Sequence, residues 1–198
     1  MDISDYSELA ARAEEYYGAD DLFLEFARFV GMAEIKLNRR LRVSDMEAAD
    51  TITLTDGDGT LPTDFLEMRD CRFGTYPALR AWPIQTLKNR YAYGGAPKGY
   101  AVVGSTLSAR PKTTGDLDIV YWAKIPSLTL ANATNWLLMR APEIYLYAVC
   151  CEMALWQRDV EKGQGFTTLL NDAVDALKSE DRSRTYGNAR VVVGGFCP

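Results

Sequence analysis

Residues 141–156 read APEIYLYAVCCEMALW and include the longest apolar run of the chain, residues 144–151. Proline at the second position, followed by an acidic residue, is typical of the first turn of an α-helix. From Ile144 to Trp156 the side chains are apolar on nearly every side, which indicates a helix buried at the centre of the fold. The apolar run is far too short to cross a membrane.

Two amphipathic helices are predicted before this segment and one after it. Apolar residues recur at helical spacing over residues 6–17 and 22–41, which are separated by Gly18. After a turn at residues 163–165, the same spacing predicts a helix over residues 166–184. We therefore expect an antiparallel helical bundle, with an N-terminal hairpin in residues 1–49 and the other helices in residues 129–185.

Between these helices the hydrophobic period changes from about 3.6 to 2. Residues 51–55, TITLT, alternate as a half-buried strand does, and residues 117–122 alternate again. Gly104 and Ser105 lie between two strand-like runs and predict a hairpin turn. Residues 50–128 are thus expected to form a β-rich insertion. The predicted fold class is α+β, a helical bundle with this insertion and an extended C-terminal tail.

Composition argues against several kinds of catalytic site. The chain has 198 residues, no histidine and a formal net charge of −5. Without histidine there is no His-ligated zinc and no His-based triad, and the acidic balance disfavours binding nucleic acid by net charge. Asp116 and Asp118 would share a strand face, so a carboxylate- and metal-dependent nuclease stays open as a weak alternative. We otherwise predict no enzyme, no cofactor and no metal site.

Charge is arranged in blocks along the chain. Residues 1–25 hold eight acids and one arginine, and residues 26–42 hold five bases and one acid. Residues 43–64 hold six acids and no base, and residues 65–112 hold eight bases and two acids. Such alternation is typical of surfaces that meet opposite surfaces in an assembly. The alternative is that the blocks are solvated faces without a partner.

The C-terminal segment, residues 186–198, is more apolar than a chain end that makes no contacts usually is. It contains three consecutive valines followed by two glycines and a phenylalanine. A free apolar end usually pairs with a sheet edge or docks on a partner, although docking on its own domain remains open. The residues expected to make this contact are Tyr186, Arg190, Val191, Val192, Val193 and Phe196.

Four segments, taken in order, resemble the adaptor, or head-to-tail connector, proteins of tailed bacteriophages. They are LPTDFLEM at residues 61–68, the stretch 100–111, YWAKIPSLT at residues 121–129, and TNWLL leading into APEIYLY over residues 134–147. Each segment alone is weak, whereas four in this order and spacing are specific. The resemblance covers roughly residues 20–185, and no catalytic motif belongs to this family.

The resemblance implies a structural role in the virion neck, at the capsid vertex. Such adaptors form a ring, typically of twelve copies, that binds the portal protein, extends the DNA channel and offers a surface to the next neck or tail protein. Their C-terminal arm often docks on the portal. A tail-completion or tail-tube protein of the same virion is the alternative. The expected location is the virion, with the host cytoplasm during assembly, and no membrane partner is expected.

Genomic DNA is expected to pass through this channel without specific binding. A channel that lets DNA slide cannot hold phosphates tightly, and like charge keeps the contact weak. The channel-lining candidates come from the first acidic block and are Glu14, Glu15, Asp20 and Asp21.

Overall fold

The computed structural model describes residues 3–18, 25–91 and 94–187. Over these residues the chain forms six α-helices and seven β-strands in two sheets, which confirms the predicted α+β class. The chain divides into two compact units. One, the helical unit, comprises Met1–Asp45 and Ile125–Pro198, and the other, the β unit, comprises Met46–Lys124. The antiparallel order of the helices and the four-segment division at residues 49, 128 and 185 stay predictions.

The helices and strands are as follows. The helices are α1 (Tyr6–Tyr17), α2 (Phe26–Arg40), α3 (Ile84–Arg90), α4 (Trp136–Arg140), α5 (Pro142–Gln157) and α6 (Val160–Tyr186). The strands are β1 (Glu47–Leu54), β2 (Asp58–Thr60), β3 (Phe65–Phe73), β4 (Arg80–Ala81), β5 (Gly99–Val103), β6 (Thr106–Arg110) and β7 (Gly115–Ala123). Among the described residues, no helix is both long and apolar enough to span a bilayer.

Helix α5 is the centre of the helical unit, as its sequence predicts. Pro142 occupies the first turn, and α5 packs against α1, α2, α4 and α6. Ile144, Tyr145 and Leu146 are completely buried. Because a helix that is apolar all round must be covered on every side, the other helices of the unit are arranged around it.

Helix α6 begins six residues earlier than the sequence predicts. The Asp159 side chain accepts a hydrogen bond of 3.0 Å from the Lys162 backbone N–H, which caps the new start. Gly163 is therefore inside the helix, not in a turn. A Cβ at this position would lie 3.5 Å from the Ala154 Cβ, an ordinary van der Waals distance, so Gly163 lies where α6 contacts α5. The helix also continues through Tyr186, which had been expected in the tail.

The β unit is built from two sheets. In sheet A, with order β1-β7-β3, both outer strands run antiparallel to β7, and Glu47 opposite Trp122 begins the register of β1. Sheet B has the order β2-β6-β5-β4. The predicted hairpin joins β5 and β6, with Gly104 at φ 61°, and β1 begins four residues before the predicted strand. One core of the β unit includes Ile52, Leu54, Leu107, Leu117 and Ile119.

The replacement Leu146→Asp is expected to unfold the helical unit. It would place an uncompensated carboxylate in the completely buried face of α5, at a cost of several kcal/mol, comparable with the roughly 5–15 kcal/mol that holds a typical protein folded. Leu155→Asp is the matched control, because Leu155 lies on the same helix but is 64% exposed. Circular dichroism should show lost helix in the first variant only. Equal thermal melting of both variants would contradict the central position of α5.

Candidate assembly surface on the helical unit

Helices α2, α5 and α6 enclose an open groove of about 790 Å³ with a mostly apolar lining. Its floor is the part of α5 that neither neighbouring helix covers. The lining includes side chains of α2 (Ala33, Lys36, Leu37, Arg39 and Arg40), of α5 (Ala148, Cys151, Glu152 and Leu155) and of the start of α6 with the residues before it (Arg158, Asp159, Val160 and Thr167).

Large apolar side chains are exposed where α5 passes into α6. Leu155 is 64% exposed, Trp156 is 52% exposed and Val160 is 71% exposed. The Trp156 ring also packs on α2, with its centroid 6.1 Å from that of Phe29 and 5.4 Å from the Arg28 guanidinium carbon. Contiguous exposed apolar surface next to a groove is typical of a protein–protein contact.

Basic residues outnumber acidic ones at the edge of the groove. The Lys36 ammonium lies 2.6 Å from the buried Glu152 carboxylate, and Arg40 donates a hydrogen bond of 2.6 Å to the Asn171 side chain across the groove. Within the described ranges, Arg39 and Arg158 form no ion pair. The edge therefore favours a partner segment that carries acidic residues beside an apolar core.

A buried polar network joins α2 to α5, two of the helices that line the groove. Glu34 Oε1 accepts hydrogen bonds from the Leu128 backbone N–H at 2.7 Å and from the Tyr145 hydroxyl at 3.1 Å. The Asn135 amide donates to the Tyr145 oxygen at 2.7 Å and to the Pro126 carbonyl at 2.6 Å. The network thus holds the segment 125–135 against both helices.

Burial raises the pKa of the Glu34 carboxyl above its ordinary value, against the lowering effect of its hydrogen-bond donors. Burial also raises the pKa of the Tyr145 phenol, and the neighbouring Glu34 raises it further. Sequence reasoning missed this site because Glu34 was counted only as the single acid in a basic block. The available signal was its position, four residues after Val30 and three before Leu37, on the apolar stripe of α2.

The C-terminal half of α6 is attached mainly by charged side chains. Asp181, which is buried, accepts a hydrogen bond of 2.6 Å from the Ser44 hydroxyl. Arg140 at the end of α4 forms ion pairs with Asp45 and, at 3.1 Å, with Glu180. Since α6 buries few apolar residues, a helix about 40 Å long leaves most of its surface available to neighbours.

Of the channel-lining candidates, Glu14 and Glu15 lie on α1. Glu15 is exposed and pairs with Arg12 at 2.8 Å, whereas Glu14 is half-buried. Asp20 and Asp21 lie outside the described residues. Which of these side chains faces a channel stays a prediction.

Of the tail candidates, Tyr186 is the exposed last residue of α6. Arg190, Val191, Val192, Val193 and Phe196 lie outside the described residues. The portal contact of this segment also stays a prediction.

The two aspartates of the nuclease alternative are exposed on β7. Asp116 accepts a hydrogen bond from the Thr53 hydroxyl and Asp118 accepts one from the Thr51 hydroxyl, both at 3.0 Å. In the described ranges, no group of three acidic or cysteine side chains is arranged to hold a metal ion. Each aspartate is thus engaged with a threonine across the strand pair.

A family model described as the SU10 adaptor protein matches residues 4–193, nearly the whole chain. The chain belongs to this family. It is a structural protein of a phage virion that interacts with other virion proteins, and the resemblance seen in the sequence is confirmed. A search of curated proteins returned no match.

The segments that carry the family resemblance meet one another inside each unit. In the β unit, the Tyr121 hydroxyl donates to the Asp64 carboxylate at 3.1 Å, joining the first segment to the third. In the helical unit, Leu128, Asn135 and Tyr145 from the third and fourth segments belong to the Glu34 network. The residues that carry the resemblance and are named here therefore stabilise the fold of each unit, and these contacts are not surfaces for partners.

The buried Glu34 is expected to make stability depend on pH. Because its folded pKa is raised, the contribution of Glu34 is fully present below its ordinary pKa of 4.5 and is lost as pH rises through the folded value. Glu34→Gln keeps an oxygen acceptor without the charge. Urea unfolding should show the variant to be more stable than the original at pH 7.5, with the difference shrinking towards pH 4.5.

The exposed Glu15→Gln is the control and should not change with pH in this way. A Glu34→Gln variant that is less stable than the original at pH 7.5, by a margin that grows with pH, would show that the ionised carboxylate stabilises the fold.

Proposed function

We propose that this chain is a subunit of the phage neck that forms a ring, of twelve copies, joining the portal to the tail and extending the DNA channel. The family match over residues 4–193 carries this proposal. The role is assembly, without catalysis, and the subunit folds in the host cytoplasm before it joins the DNA-filled head. Its partners are the portal, further copies of itself and the next neck or tail protein.

Cryo-electron microscopy of the virion neck tests this placement directly. A ring of this chain directly below the portal, enclosing DNA, is the expected result. Density for the chain inside the tail tube or at the end of the tail would instead favour the tail-tube or tail-completion alternative. Acidic residues are expected to face the DNA, with Glu14, Glu15, Asp20 and Asp21 as the candidates, and a lumen lined mainly by Lys and Arg would contradict this.

The groove on the helical unit is proposed to receive an apolar, acid-flanked segment of a neighbouring virion protein. Its apolar floor and the exposed Leu155 and Val160 support burial of apolar side chains. The basic edge with Arg39 and Arg158 supports acidic flanks.

The double variant Leu155→Asp and Val160→Asp should fold normally but fail to join particles. Both side chains are largely exposed, so the fold tolerates them, whereas acids in an apolar contact are costly. The yield of infectious phage from a genome carrying the variant should fall by at least about 100-fold, equivalent to about 2.7 kcal/mol in an assembly step. Leu130→Asp, which changes a 74% exposed leucine outside the groove, is the control. Normal yield from the double variant would exclude the groove as a contact.

The tail is proposed to be the portal-binding arm. Its valines, Val191 to Val193, have high strand propensity, and a strand added to an edge of the portal would bury them and satisfy its backbone groups. Arg190 would pair with an acidic groove of the portal, and Phe196 would occupy a pocket beside it.

Deleting residues 188–198 should leave a folded subunit that no longer joins portal-bearing heads. The deletion begins after Gly187, the C-cap of α6, so the last helix stays complete. Replacing the same residues by a Gly/Ser segment of equal length separates loss of side chains from loss of length. Sedimentation with portal-bearing heads measures the attachment. Normal attachment of either variant would show that the tail is not the arm.

A further inference from the structure

Residues 71–115 contain seven basic residues and no acidic residue. They form α3 together with β4, β5 and β6, three of the four strands of sheet B. Three of the seven bases are neutralised by acids from elsewhere in the β unit: Arg72 by Asp70, Arg110 by Asp58 and Lys112 by Asp56. Four cations remain, and they define what we call the basic end: Arg80, Lys88, Arg90 and Lys98.

All four side chains of the basic end are exposed, and within the described ranges none of them forms an ion pair. Arg80 and Lys98 lie at one edge of sheet B, and Lys88 and Arg90 lie on α3, which packs against β5. Arg80 on β4 pairs in register with Gly99, the residue after Lys98. The Arg90 guanidinium stacks on the Trp82 ring, 5.0 Å from its centroid.

Trp82 itself lies on Gly99. A Cβ on Gly99 would come within 2.6 Å of the Trp82 ring, so only glycine permits this contact. Arg90 and the residues around Gly99 are therefore both in contact with the Trp82 ring, and among the described residues none of the four cations has an acidic partner.

Sheet A has the opposite charge. Its three strands carry six acidic and two basic residues. The two bases, Arg69 and Arg72, already pair with Glu47 and Asp70. Asp116 and Asp118 are exposed on the central strand, and each accepts a hydrogen bond from a threonine hydroxyl, which occupies one acceptor position of the carboxylate.

The two surfaces lie on different strands of the β unit. The Leu79 backbone N–H donates a hydrogen bond of 2.7 Å to the Cys71 carbonyl on β3, which places Arg80 beside β3, whereas Asp116 and Asp118 lie on β7, the next strand of sheet A. At about 4.8 Å per strand, Arg80 is about 10 Å from β7, and no ion pair of the described residues joins the two surfaces. Two complementary surfaces at different places on one subunit make a heterologous contact, and such contacts close into rings when the rotation between copies allows it.

We propose that the basic end of one copy binds the sheet A face of the next copy, a contact that presupposes the ring proposed above. Asp116 and Asp118 are the acceptors, and Arg80, Lys88 and Lys98 are the donors. The contact fixes the head-to-tail direction of the ring, because like surfaces repel one another. The charges without partners in the single subunit are then neutralised by assembly.

Charge reversal tests the pairing with two variants. The first carries Arg80→Glu, Lys88→Glu and Lys98→Glu, and the second carries Asp116→Lys and Asp118→Lys. Arg90 is left unchanged because it stacks on Trp82. Native mass spectrometry should show at least a tenfold loss of oligomer for each variant alone, and recovery when the two are mixed, because an alternating ring restores every contact. The charge-conserving set Arg80→Lys, Lys88→Arg, Lys98→Arg, Asp116→Glu and Asp118→Glu should assemble as the original does.

Zero-length cross-linking gives a readout that does not require a complete ring. In a mixture of unlabelled and ¹⁵N-labelled protein, links from Lys88 or Lys98 to Asp116 or Asp118 should join chains of different label. Rings that form normally in both reversal variants would overturn the pairing while leaving the proposed function intact. The absence of these cross-links would overturn the pairing, whereas the ring itself is tested by cryo-electron microscopy of the virion neck.

DNA is the alternative ligand for a basic surface of this kind. Fluorescence anisotropy with random-sequence duplex DNA should show no difference between the first reversal variant and the original. A loss of DNA binding in that variant, with unchanged oligomer, would show that the basic end contacts the genome and would overturn the proposal.

Discussion

The helical unit depends on the enclosure of one carboxylate. Glu34 is on the apolar stripe of α2, and its carboxylate accepts hydrogen bonds from the Tyr145 hydroxyl on α5, the Leu128 backbone and the Ser127 side chain. A buried acceptor that loses its donors costs about 1–3 kcal/mol, so α2, α5 and the segment 125–135 are arranged together or not at all. The same contacts hold α2 against α5, two of the three helices that line the groove.

Much of the fold was predictable because the hydrophobic period is a local property. The all-round apolar stretch of α5 and the alternation of β7 each require only a few neighbouring residues to be recognised. The start of α6 was not predictable in this way. Gly163 has a low helix propensity and predicts a turn, whereas the structure places it inside α6, behind the Asp159 cap.

The candidate surfaces were less predictable than the core. The exposure of Leu155 and Val160 depends on which faces of α5 and α6 other helices leave uncovered, and a single helix pattern does not contain that information. The charge blocks were visible in the sequence, but the sequence does not show which of these charges are neutralised by ion pairs in the folded chain. Lys112 and Arg110 belong to the same basic block as Lys88, yet they are neutralised by Asp56 and Asp58 across the β unit.

The register of β1 against β7 brings the two ends of the β unit close together. Glu47 and Trp122, near the two ends of the unit, face each other on neighbouring antiparallel strands, which places their Cα atoms about 5 Å apart. A chain that enters and leaves a unit through adjacent positions can lose, gain or exchange that unit with little change at the junction. Phage lineages could therefore diversify this part of the subunit by recombination at two points of the gene, without any change to the helical unit and its buried carboxylate.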